Sequence, residues 1–304
     1  MSHTIIDVQG LKRVYADSRK GSSYTAVADS AFRVQRGEIF GLLGTNGAGK
    51  TSTLEVIEGL ARPSAGSVRI HGLDPYQERT QLRPHIGIML QSGGLPPQLT
   101  VRETLAMWGG TLSHPLPVDE VAAAVELSHR MEVKVSALSG GEQRRLDLGC
   151  ALAGNPSVVF LDEPTTGLDP ESRSRTWQLL LELKKRGVTM ILTTHYLEEA
   201  EYLCDRIAIM HRSKIVREGT VQDLVAQEDS LLRFHSPQPA PDIFTGSCIR
   251  DGAEHTVLTR DLPRDTHAAL NWAQSQGIRL SNFSAQPASL ETVFLSLTQS
   301  APAI

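Results

Sequence analysis

A glycine-rich segment that ends in a lysine carries the first candidate chemistry of this sequence. It is Gly-Thr-Asn-Gly-Ala-Gly-Lys-Thr and fits the spacing G-x-x-x-x-G-K-[ST]. Its glycines let successive backbone N–H groups surround phosphate oxygens, Lys50 can reach the terminal phosphates, and the Thr51 hydroxyl can ligate Mg²⁺. An apolar run precedes the segment and a helix-like run follows it, whereas the alternative, a glycine-rich surface turn, needs neither. The predicted nucleotide-binding residues are Gly44, Thr45, Asn46, Gly47, Ala48, Gly49, Lys50, Thr51 and Ser52.

Two adjacent carboxylates, Asp162 and Glu163, follow the apolar run Val158–Leu161 and precede Pro164. In an extended chain adjacent side chains point to opposite sides, so the two carboxylates can have different roles. We expect Asp162 to bind Mg²⁺ and Glu163 to polarise or deprotonate an attacking water. A plain surface turn is the alternative, and the upstream phosphate-binding segment argues against it.

A third motif lies between these two. Residues 138–145 are Leu-Ser-Gly-Gly-Glu-Gln-Arg-Arg, and apolar positions at helical spacing follow them. A Ser-Gly-Gly turn at a helix N-terminus is a second anion site. Here the sequence resembles the ATP-binding cassette (ABC) ATPases, whose signature is LSGGQ. Further motifs of that family occur in the same order, namely Gln91 after a strand, Thr166–Asp169 as a D-loop and His195 after another strand.

The resemblance implies how these residues act. Two cassettes clamp two ATP molecules head to tail, and the phosphate loop of one faces the signature of the other, which here is Ser139, Gly140 and Gly141. It implies further that His195 contacts the γ-phosphate and that Gln91 contacts Mg²⁺ or water. The D-loop residue Asp169 belongs to the same nucleotide site. Because the chain has one set of motifs, a second copy or a related chain is required.

At two positions this sequence departs from the usual pattern of ABC ATPases. Tyr15 corresponds to the aromatic residue that stacks on adenine, but the segment 16–24 is longer than usual and leaves Tyr24 as a weaker candidate. A packing tyrosine is the alternative for Tyr15. Glu142 stands where the signature usually has glutamine, which changes the contact made by that side chain.

Short apolar runs alternate with helix-like segments through the first two-thirds of the chain, which predicts an α/β fold on a largely parallel sheet. These runs consist almost entirely of apolar residues, as expected for strands covered on both faces. They are Ile39–Leu43, Ile86–Leu90, Val158–Leu161, Val188–Leu192 and Ile207–Met210. The segment Gln91–Val135 resembles the helical subdomain of transporter cassettes, which receives a helix of the membrane partner. The resemblance thus implies a P-loop ABC cassette with a helical subdomain at about residues 91–155.

The character of the chain changes after about residue 219. No lysine follows Lys214, and Ser236–Pro241 is proline-rich, as in a linker or a long turn. We place the boundary at 225/226, so that a cassette of residues 1–225 is followed by a small α+β domain of residues 226–304. Strands are predicted at His255–Thr259 and Ile278–Phe283, and helices at Thr266–Gln274 and Leu290–Leu297.

Composition excludes several classes of protein. The 304 residues carry 30 basic and 34 acidic side chains, a net charge of −4, with no dense basic stripe, so no nucleic acid partner is expected. Cys150, Cys204 and Cys248 form no metal-binding or disulfide pattern and are expected to be reduced thiols of a cytosolic protein. No targeting segment and no run of about 18 apolar residues is present, so no part of the sequence is expected to cross a membrane unaided. The resemblance to ABC ATPases implies a peripheral subunit on the cytoplasmic side of the cell membrane.

Among ABC proteins, the cassette resembles the bacterial drug-exporter type known from daunorubicin resistance. The segment Ala288–Leu295 resembles the tail motif of that subfamily, although Leu290, Val293, Phe294 and Leu297 also have the spacing of any core-facing helix. The resemblance implies a homodimeric, Mg²⁺-dependent ATPase that drives export of a drug-like or lipid-like molecule through a separately encoded membrane permease. An importer ATPase and a soluble ABC regulator are the alternatives.

Overall fold

The chain consists of two units, Met1–Thr220 and Val221–Ile304. The computed structural model describes residues 4–17, 22–91 and 93–299. Residues 1–3, where the sequence predicts no targeting segment, lie outside the described residues, as does part of the unusually long segment 16–24. The division between the units lies five residues before the 225/226 boundary expected from the sequence, since the short helix Val221–Val225 is grouped with the second unit.

Within the described residues, the first unit is built around a sheet of nine strands in the order β4-β1-β2-β9-β8-β3-β7-β6-β5. Neighbouring strands from β8 to β5 are all parallel, and each corresponds to one of the five predicted apolar runs. The α/β fold class is therefore confirmed. The strands are β1 (Thr4–Asp17), β2 (Ser22–Gln35), β3 (Ile39–Gly44), β4 (Ala65–Ile70), β5 (Ile86–Met89), β6 (Val158–Asp162), β7 (Thr189–Thr194), β8 (Arg206–His211) and β9 (Lys214–Gly219).

The sheet is mixed because an antiparallel part, absent from the sequence prediction, joins the parallel strands. Strand β1 pairs antiparallel with β2 and β4, and β9 pairs antiparallel with β8. In β1 the buried side chains of Ile6 and Val8 alternate with the more exposed Asp7 and Gln9. This two-residue period is typical of strands with one solvated face, so it differs from the continuous runs that mark the parallel strands.

Seven helices are described in the first unit, and polar caps fix where several of them begin. Thr100 and Glu103 form a capping box at the start of α3, and Asp169 caps α6 just before a proline in the first turn. Helices α3, α4 and α5 pack on one another within the range expected for the helical subdomain. The helices are α1 (Lys50–Ile57), α2 (Arg79–Leu82), α3 (Val101–Gly109), α4 (Val118–Ala124), α5 (Gly140–Leu152), α6 (Pro170–Lys185) and α7 (Leu197–Leu203).

The second unit is a small α+β domain with an antiparallel sheet of order β11-β12-β10-β13. Its strands are β10 (Ser230–His235), β11 (Ser247–Asp251), β12 (Glu254–Thr259) and β13 (Ser281–Gln286), and its helices are α8 (Val221–Val225), α9 (Leu262–Ser275) and α10 (Leu290–Gln299). Helix α9 packs on the sheet through a core that contains Leu232, Phe234, Val257 and Ala269. The strand expected at 278–283 begins only at Ser281, because Leu280 packs against that core before the strand starts.

The proline-rich stretch is a long turn inside the second unit rather than a linker between units. It lies between β10 and β11, and the backbone N–H of Ala240 donates a hydrogen bond to His255 Nε2 at 3.2 Å. Helix α10 matches the predicted tail helix. Leu290 and Val293 are fully buried, whereas Phe294 and Leu297 are only half-buried.

Candidate functional site

The phosphate-binding segment forms the turn between β3 and α1. Gly49 has φ of +104°, and a Cβ there would lie 2.3 Å from the carbonyl oxygen of Ala26, so only glycine fits. Lys50 Nζ bends back over the turn and donates hydrogen bonds to the carbonyl oxygens of Gly44 at 2.8 Å and Thr45 at 3.2 Å. Burial lowers the pKa of Lys50, and the nearby charges of Glu163 and Asp162 oppose that shift. The turn thus holds a buried cation where phosphate oxygens would lie.

Asp162 is the last residue of β6 and faces the start of α1. The Thr51 hydroxyl donates to Asp162 Oδ2 at 3.4 Å, and the Thr193 hydroxyl on β7 donates to Asp162 Oδ1. Burial raises the pKa of Asp162, while the hydrogen bond from Thr193 opposes the shift. The structure therefore brings together two of the three side chains for which Mg²⁺ coordination was expected.

Glu163 differs from Asp162 through its backbone, not through the alternation of an extended strand. Its φ is +48°, in the left-handed region, so the expected reason for the two roles is wrong although the carboxylates do separate. The carboxylate accepts hydrogen bonds from Gln91 Nε2 at 3.2 Å and from the Thr166 hydroxyl at 3.1 Å, and His195 Nδ1 lies 3.1 Å from its other oxygen. Three motifs far apart in sequence thus meet on one carboxylate.

The electrostatic balance at Glu163 favours its charged form. Burial acts to raise its pKa, but the hydrogen bonds from His195 and Thr166 together with the charge of Lys50 outweigh burial and leave the pKa lowered. A carboxylate that is ionised at neutral pH can accept a proton. Glu163 therefore has the protonation state that a general base requires.

The signature turn caps helix α5. The Ser139 hydroxyl accepts a hydrogen bond from the N–H of Glu142 at 3.2 Å, and Glu142 Oε2 accepts one from the N–H of Ser139 at 2.8 Å. Arg130 Nε donates to the other oxygen of Glu142 at 2.7 Å. The glutamate that replaces the usual glutamine thus completes a capping box, and Arg130 neutralises its charge.

The remaining signature and D-loop residues lie at the starts of α5 and α6. Asp169 accepts a hydrogen bond from the N–H of Ser172 at 3.0 Å at the start of α6. A Cβ on Gly141 would lie 2.5 Å from the Ser172 hydroxyl, whereas Gly140 faces open space. Among the hydrogen bonds of the described residues, those of Ser139 and Asp169 serve these helix starts and do not involve the phosphate loop.

Tyr15 lies on β1 beside helix α1. Its hydroxyl donates to Glu55 Oε2 at 2.9 Å and lies 3.2 Å from the Ser52 hydroxyl, and the Arg13 guanidinium is 4.5 Å from the ring centroid. The ring is 36% exposed, and Tyr24, directly opposite on β2, is 57% exposed. Tyr15 is thus anchored near the helix that follows the phosphate loop, with one ring face against a cation.

Two residues of this region have no recognisable signal in the sequence. Arg144 belongs to the signature segment in sequence, yet its side chain donates hydrogen bonds to the backbone of the turns that carry Gln91 and Glu163. Glu199 on α7 accepts hydrogen bonds from the Thr165 hydroxyl at 2.6 Å and from Trp177 Nε1 at 3.1 Å. Both are charged residues in amphipathic or polar segments, where solvent exposure is the ordinary expectation.

Glu58, the C-cap residue directly after α1, is buried and carries an oxygen, Oε1, without a hydrogen-bond partner among the described residues. Burial raises its pKa to about 8, the negative charges of Asp162 and Glu55 add to the rise, and Arg83 opposes it. A protonated carboxyl group is therefore the favoured form of Glu58 at neutral pH.

A cavity of about 190 Å³ opens beside β5 and α5. Its lining is mostly apolar, and it includes Trp108, which is 39% exposed, and Leu90, which is 48% exposed. The complete lining is Leu60, Arg83, Ile88, Met89, Leu90, Gly93, Leu95, Trp108, Asp147 and Cys150. Leu90 is the neighbour of Gln91, so the cavity adjoins the catalytic region.

The phosphate-binding turn, the two adjacent carboxylates and the histidine all lie at the carboxyl ends of parallel strands. This arrangement defines a P-loop ATPase. A family profile described as ABC transporter matches residues 27–166, and one described as ABC transporter domain-containing protein-like, C-terminal domain, matches residues 236–289. The Nod factor export ATP-binding protein I of Burkholderia pseudomallei strain 1710b is 37% identical over 317 residues, with 98% of each chain covered. The chain belongs to the ATP-binding subunits of ABC transporters.

Other comparisons agree with this family. The daunorubicin resistance ATP-binding protein DrrA3 of Streptomyces coeruleorubidus is 38% identical over 232 residues, which cover 75% of this chain and 72% of that one. A dimeric ATP-binding cassette, MJ0796, in a post-hydrolysis state bound to ADP and Pi, has a TM-score of 0.64 and 26% identity, with 71% of this chain and 98% of that chain covered. The protein is therefore an ATP-hydrolysing enzyme with an ABC cassette. No helix in residues 4–17, 22–91 and 93–299 is long and apolar enough to span a membrane.

Proposed function

We propose that the chain is the ATPase subunit of an ABC exporter that moves a drug-like or lipid-like molecule through a separately encoded membrane permease. Relatives named for Nod factor export and for daunorubicin resistance support export, and the first of these spans 98% of both chains. Binding of such a permease would hold the chain peripherally at the cytoplasmic face of the cell membrane. Recovery of the chain from membranes together with an integral membrane protein tests this, and recovery only from the soluble fraction would favour a regulator.

The active form is a homodimer with two nucleotides at its interface. The chain carries one phosphate loop and one signature turn, and the hydrogen bonds of Ser139 cap the start of its own helix, α5. The first backbone N–H groups of α5 and the open space at Gly140 leave this turn free to meet an anion from another subunit. A similar cassette has been solved as a dimer with ADP and Pi, which supports the arrangement.

Hydrolysis follows from the contacts of Glu163. The carboxylate accepts the proton of the attacking water, while His195 and Gln91 hold the carboxylate in place. With ATP bound, these two side chains would lie near the γ-phosphate. As the bond from water to the γ-phosphorus forms, the bond to the β–γ bridging oxygen breaks and ADP leaves, and Lys50 and the N–H groups of the phosphate loop stabilise the negative charge that develops. Ser139, Gly140, Gly141 and Asp169 complete the site of the partner copy, and Tyr15 lies where an adenine ring can stack.

The oxygen ligands near the phosphate loop fit Mg²⁺. Thr51 Oγ1 and Asp162 Oδ2 are 3.4 Å apart, and the Gln91 side-chain oxygen takes no part in the hydrogen bond that its Nε2 donates to Glu163. These hard oxygen ligands suit Mg²⁺, which would neutralise phosphate charge when bound with ATP.

The membrane permease docks at the cavity beside Leu90. Its rim carries exposed apolar side chains, including Trp108 and Leu90, which a partner helix could cover. The cavity adjoins Gln91, so a permease helix bound there would contact the segment whose Gln91 side chain reaches Glu163. A charged residue at the rim, introduced as Trp108→Glu, should reduce co-purification with the permease and leave ATP affinity unchanged.

The convergence of Gln91, Thr166 and His195 on Glu163 is the single observation that carries the proposed mechanism. In the Glu163→Gln variant the amide keeps the shape but cannot accept a proton, so hydrolysis should slow by roughly 10²- to 10⁴-fold with ATP binding intact. Trapped ATP should then stabilise the dimer, which gel filtration with ATP would detect.

Glu171→Gln is the matched control, because Glu171 lies on the exposed surface of α6 with a side chain that is 76% exposed. Its turnover should equal that of the unmodified protein. Normal turnover of Glu163→Gln, with inactive His195→Ala or Asp169→Ala proteins, would show that another residue is the base.

A further inference from the structure

The Arg144 side chain, on the second turn of α5, donates all of its N–H groups to backbone carbonyls. A guanidinium has five N–H donors. Nε donates one hydrogen bond, Nη1 donates two and Nη2 donates two, at 2.8 to 3.0 Å. The acceptors are the carbonyl oxygens of Pro164, Leu90, Gln91, Asp162 and Glu163.

These carbonyls belong to two strand ends that separate from each other. Strands β5 and β6 are paired up to Met89 and Leu161, and no further pair between them is formed. Beyond that point each backbone carbonyl needs another donor, because a buried carbonyl without a partner is costly. Arg144 supplies the donors to both strand ends at once.

The guanidinium is buried, with 9% of its side chain exposed, and its charge is balanced locally. Asp147, one turn further along α5, has an oxygen 3.8 Å from Nη1. Because every N–H of Arg144 is already bound to a carbonyl, Asp147 contributes charge and not a hydrogen bond. The side chain is therefore fixed by its geometry toward the two strand ends.

We propose that Arg144 is a positioning residue for hydrolysis, which holds the Gln91 turn and the Glu163 turn in the relative position that the catalytic carboxylate requires. The inference rests on the proposed role of Glu163 as the base. The 3.2 Å hydrogen bond between Gln91 and Glu163 joins side chains of two different turns, so it forms only when both backbones are in place. No other amino acid has five donors in one plane.

Arg144→Lys and Arg144→Gln test the proposal in the full-length chain. Lysine keeps the charge but has no planar fork, and glutamine keeps a planar amide but loses the charge. Both variants should lower kcat roughly 10- to 100-fold, because displacement of a catalytic group by about 1 Å has that effect. The KM for ATP should change less than about threefold, since Arg144 does not contact the phosphate loop. Normal kcat in Arg144→Lys would reduce Arg144 to a source of charge and overturn the proposal.

Arg206→Lys is the control for a merely structural arginine. Arg206 is also a partly buried guanidinium of the first unit, it donates to the carbonyl of Arg33 at 2.9 Å, and it is paired with Glu38 and Glu218. It lies at the start of β8, at the opposite end of the strand from the nucleotide site. Arg206→Lys should lower the melting temperature without changing kcat. An equal loss of kcat in both lysine variants at matched loss of stability would contradict positioning.

A double-mutant cycle with Glu163→Gln separates this inference from the proposed mechanism. If Arg144 acts through Glu163, then Arg144→Lys should change the residual rate of Glu163→Gln less than about twofold. A full multiplicative loss in that background would overturn the inference while leaving the base assignment intact. Normal turnover of Glu163→Gln alone would overturn the base assignment, whatever Arg144→Lys does. If neither Arg144 variant folds although Arg206→Lys does, the residue is structural and the proposal is wrong.

Discussion

Replacing Glu58 by glutamine should stabilise the protein at neutral and alkaline pH. Glu58 is 3% exposed at the end of α1, and its Oε1 has no partner among the described residues. Its pKa is raised from 4.5 to about 8, chiefly by burial and further by Asp162 and Glu55. Folding above the unfolded-state pKa therefore requires uptake of a proton. Glutamine has nearly the same shape and never needs that proton.

The magnitude follows from the two pKa values. Below about pH 4 the carboxyl group is protonated in both states, so the variant should gain nothing. Between the unfolded pKa of 4.5 and the folded pKa of about 8, the free energy of unfolding should fall with rising pH in the unmodified protein but not in the variant. At about pH 7 the difference is about 3 kcal/mol, or roughly 6 to 12 °C in melting temperature for a unit of this size.

Thermal and urea unfolding of full-length Glu58→Gln, in nucleotide-free buffer with chelator, would measure this difference at several pH values. Glu120→Gln on the exposed face of α4 is the control, because a solvated carboxylate gains nothing from the change. A gain in stability that is independent of pH, or a loss at about pH 8, would refute the reasoning and show that Glu58 is folded as a carboxylate.

Three further variants test the site and the tail. Lys50→Ala should reduce hydrolysis below detection, because the buried charge aimed at the phosphates is lost, and near-normal ATPase activity would refute the phosphate-loop assignment. Ser139→Arg should abolish hydrolysis while its lost helix cap destabilises the protein by only about 1 kcal/mol. Mixing it with Lys50→Ala chains should restore partial activity through one intact composite site, and a wild-type rate in Ser139→Arg alone would exclude catalysis between subunits. Phe294→Ala should weaken dimerisation or recovery from membranes more than it weakens ATP affinity. It should lower stability less than Val293→Ala, because Val293 is fully buried. Unchanged dimerisation and membrane recovery of the folded Phe294→Ala variant would contradict a role of Phe294 in assembly.

Much of the central fold could be predicted because its strands are apolar on both faces. The runs near Ile39 and Val158 stand out from any surrounding pattern, and the phosphate loop and carboxylates lie at their ends. Strands β1, β2 and β4 could not be found in the same way, since each has one exposed face and its pairing depends on distant partners. The contacts of Tyr15 with Glu55 depend on this pairing as well.

The contacts between the site residues were harder to predict from the sequence than the identities of those residues. The resemblance to ABC ATPases identified Gln91 and His195, and the paired carboxylates identified Glu163. The residue pattern does not indicate that all three side chains meet on one carboxylate, because they follow three different strands. The role of Arg144 has no signal in the sequence for a related reason. Its partners are backbone carbonyls, which every residue has, so no pattern of side chains marks them.

The left-handed backbone of Glu163 affects how this gene would drift after duplication. A glutamate at φ of +48° costs about 1 kcal/mol relative to glycine, and asparagine also tolerates this conformation better. Selection for hydrolysis holds glutamate at the position against that conformational preference. In a duplicate released from hydrolysis, replacement by glycine or asparagine would remove this conformational cost. We therefore expect position 163 to change early in such copies, before the buried residues of β6, so that loss of turnover precedes loss of the fold.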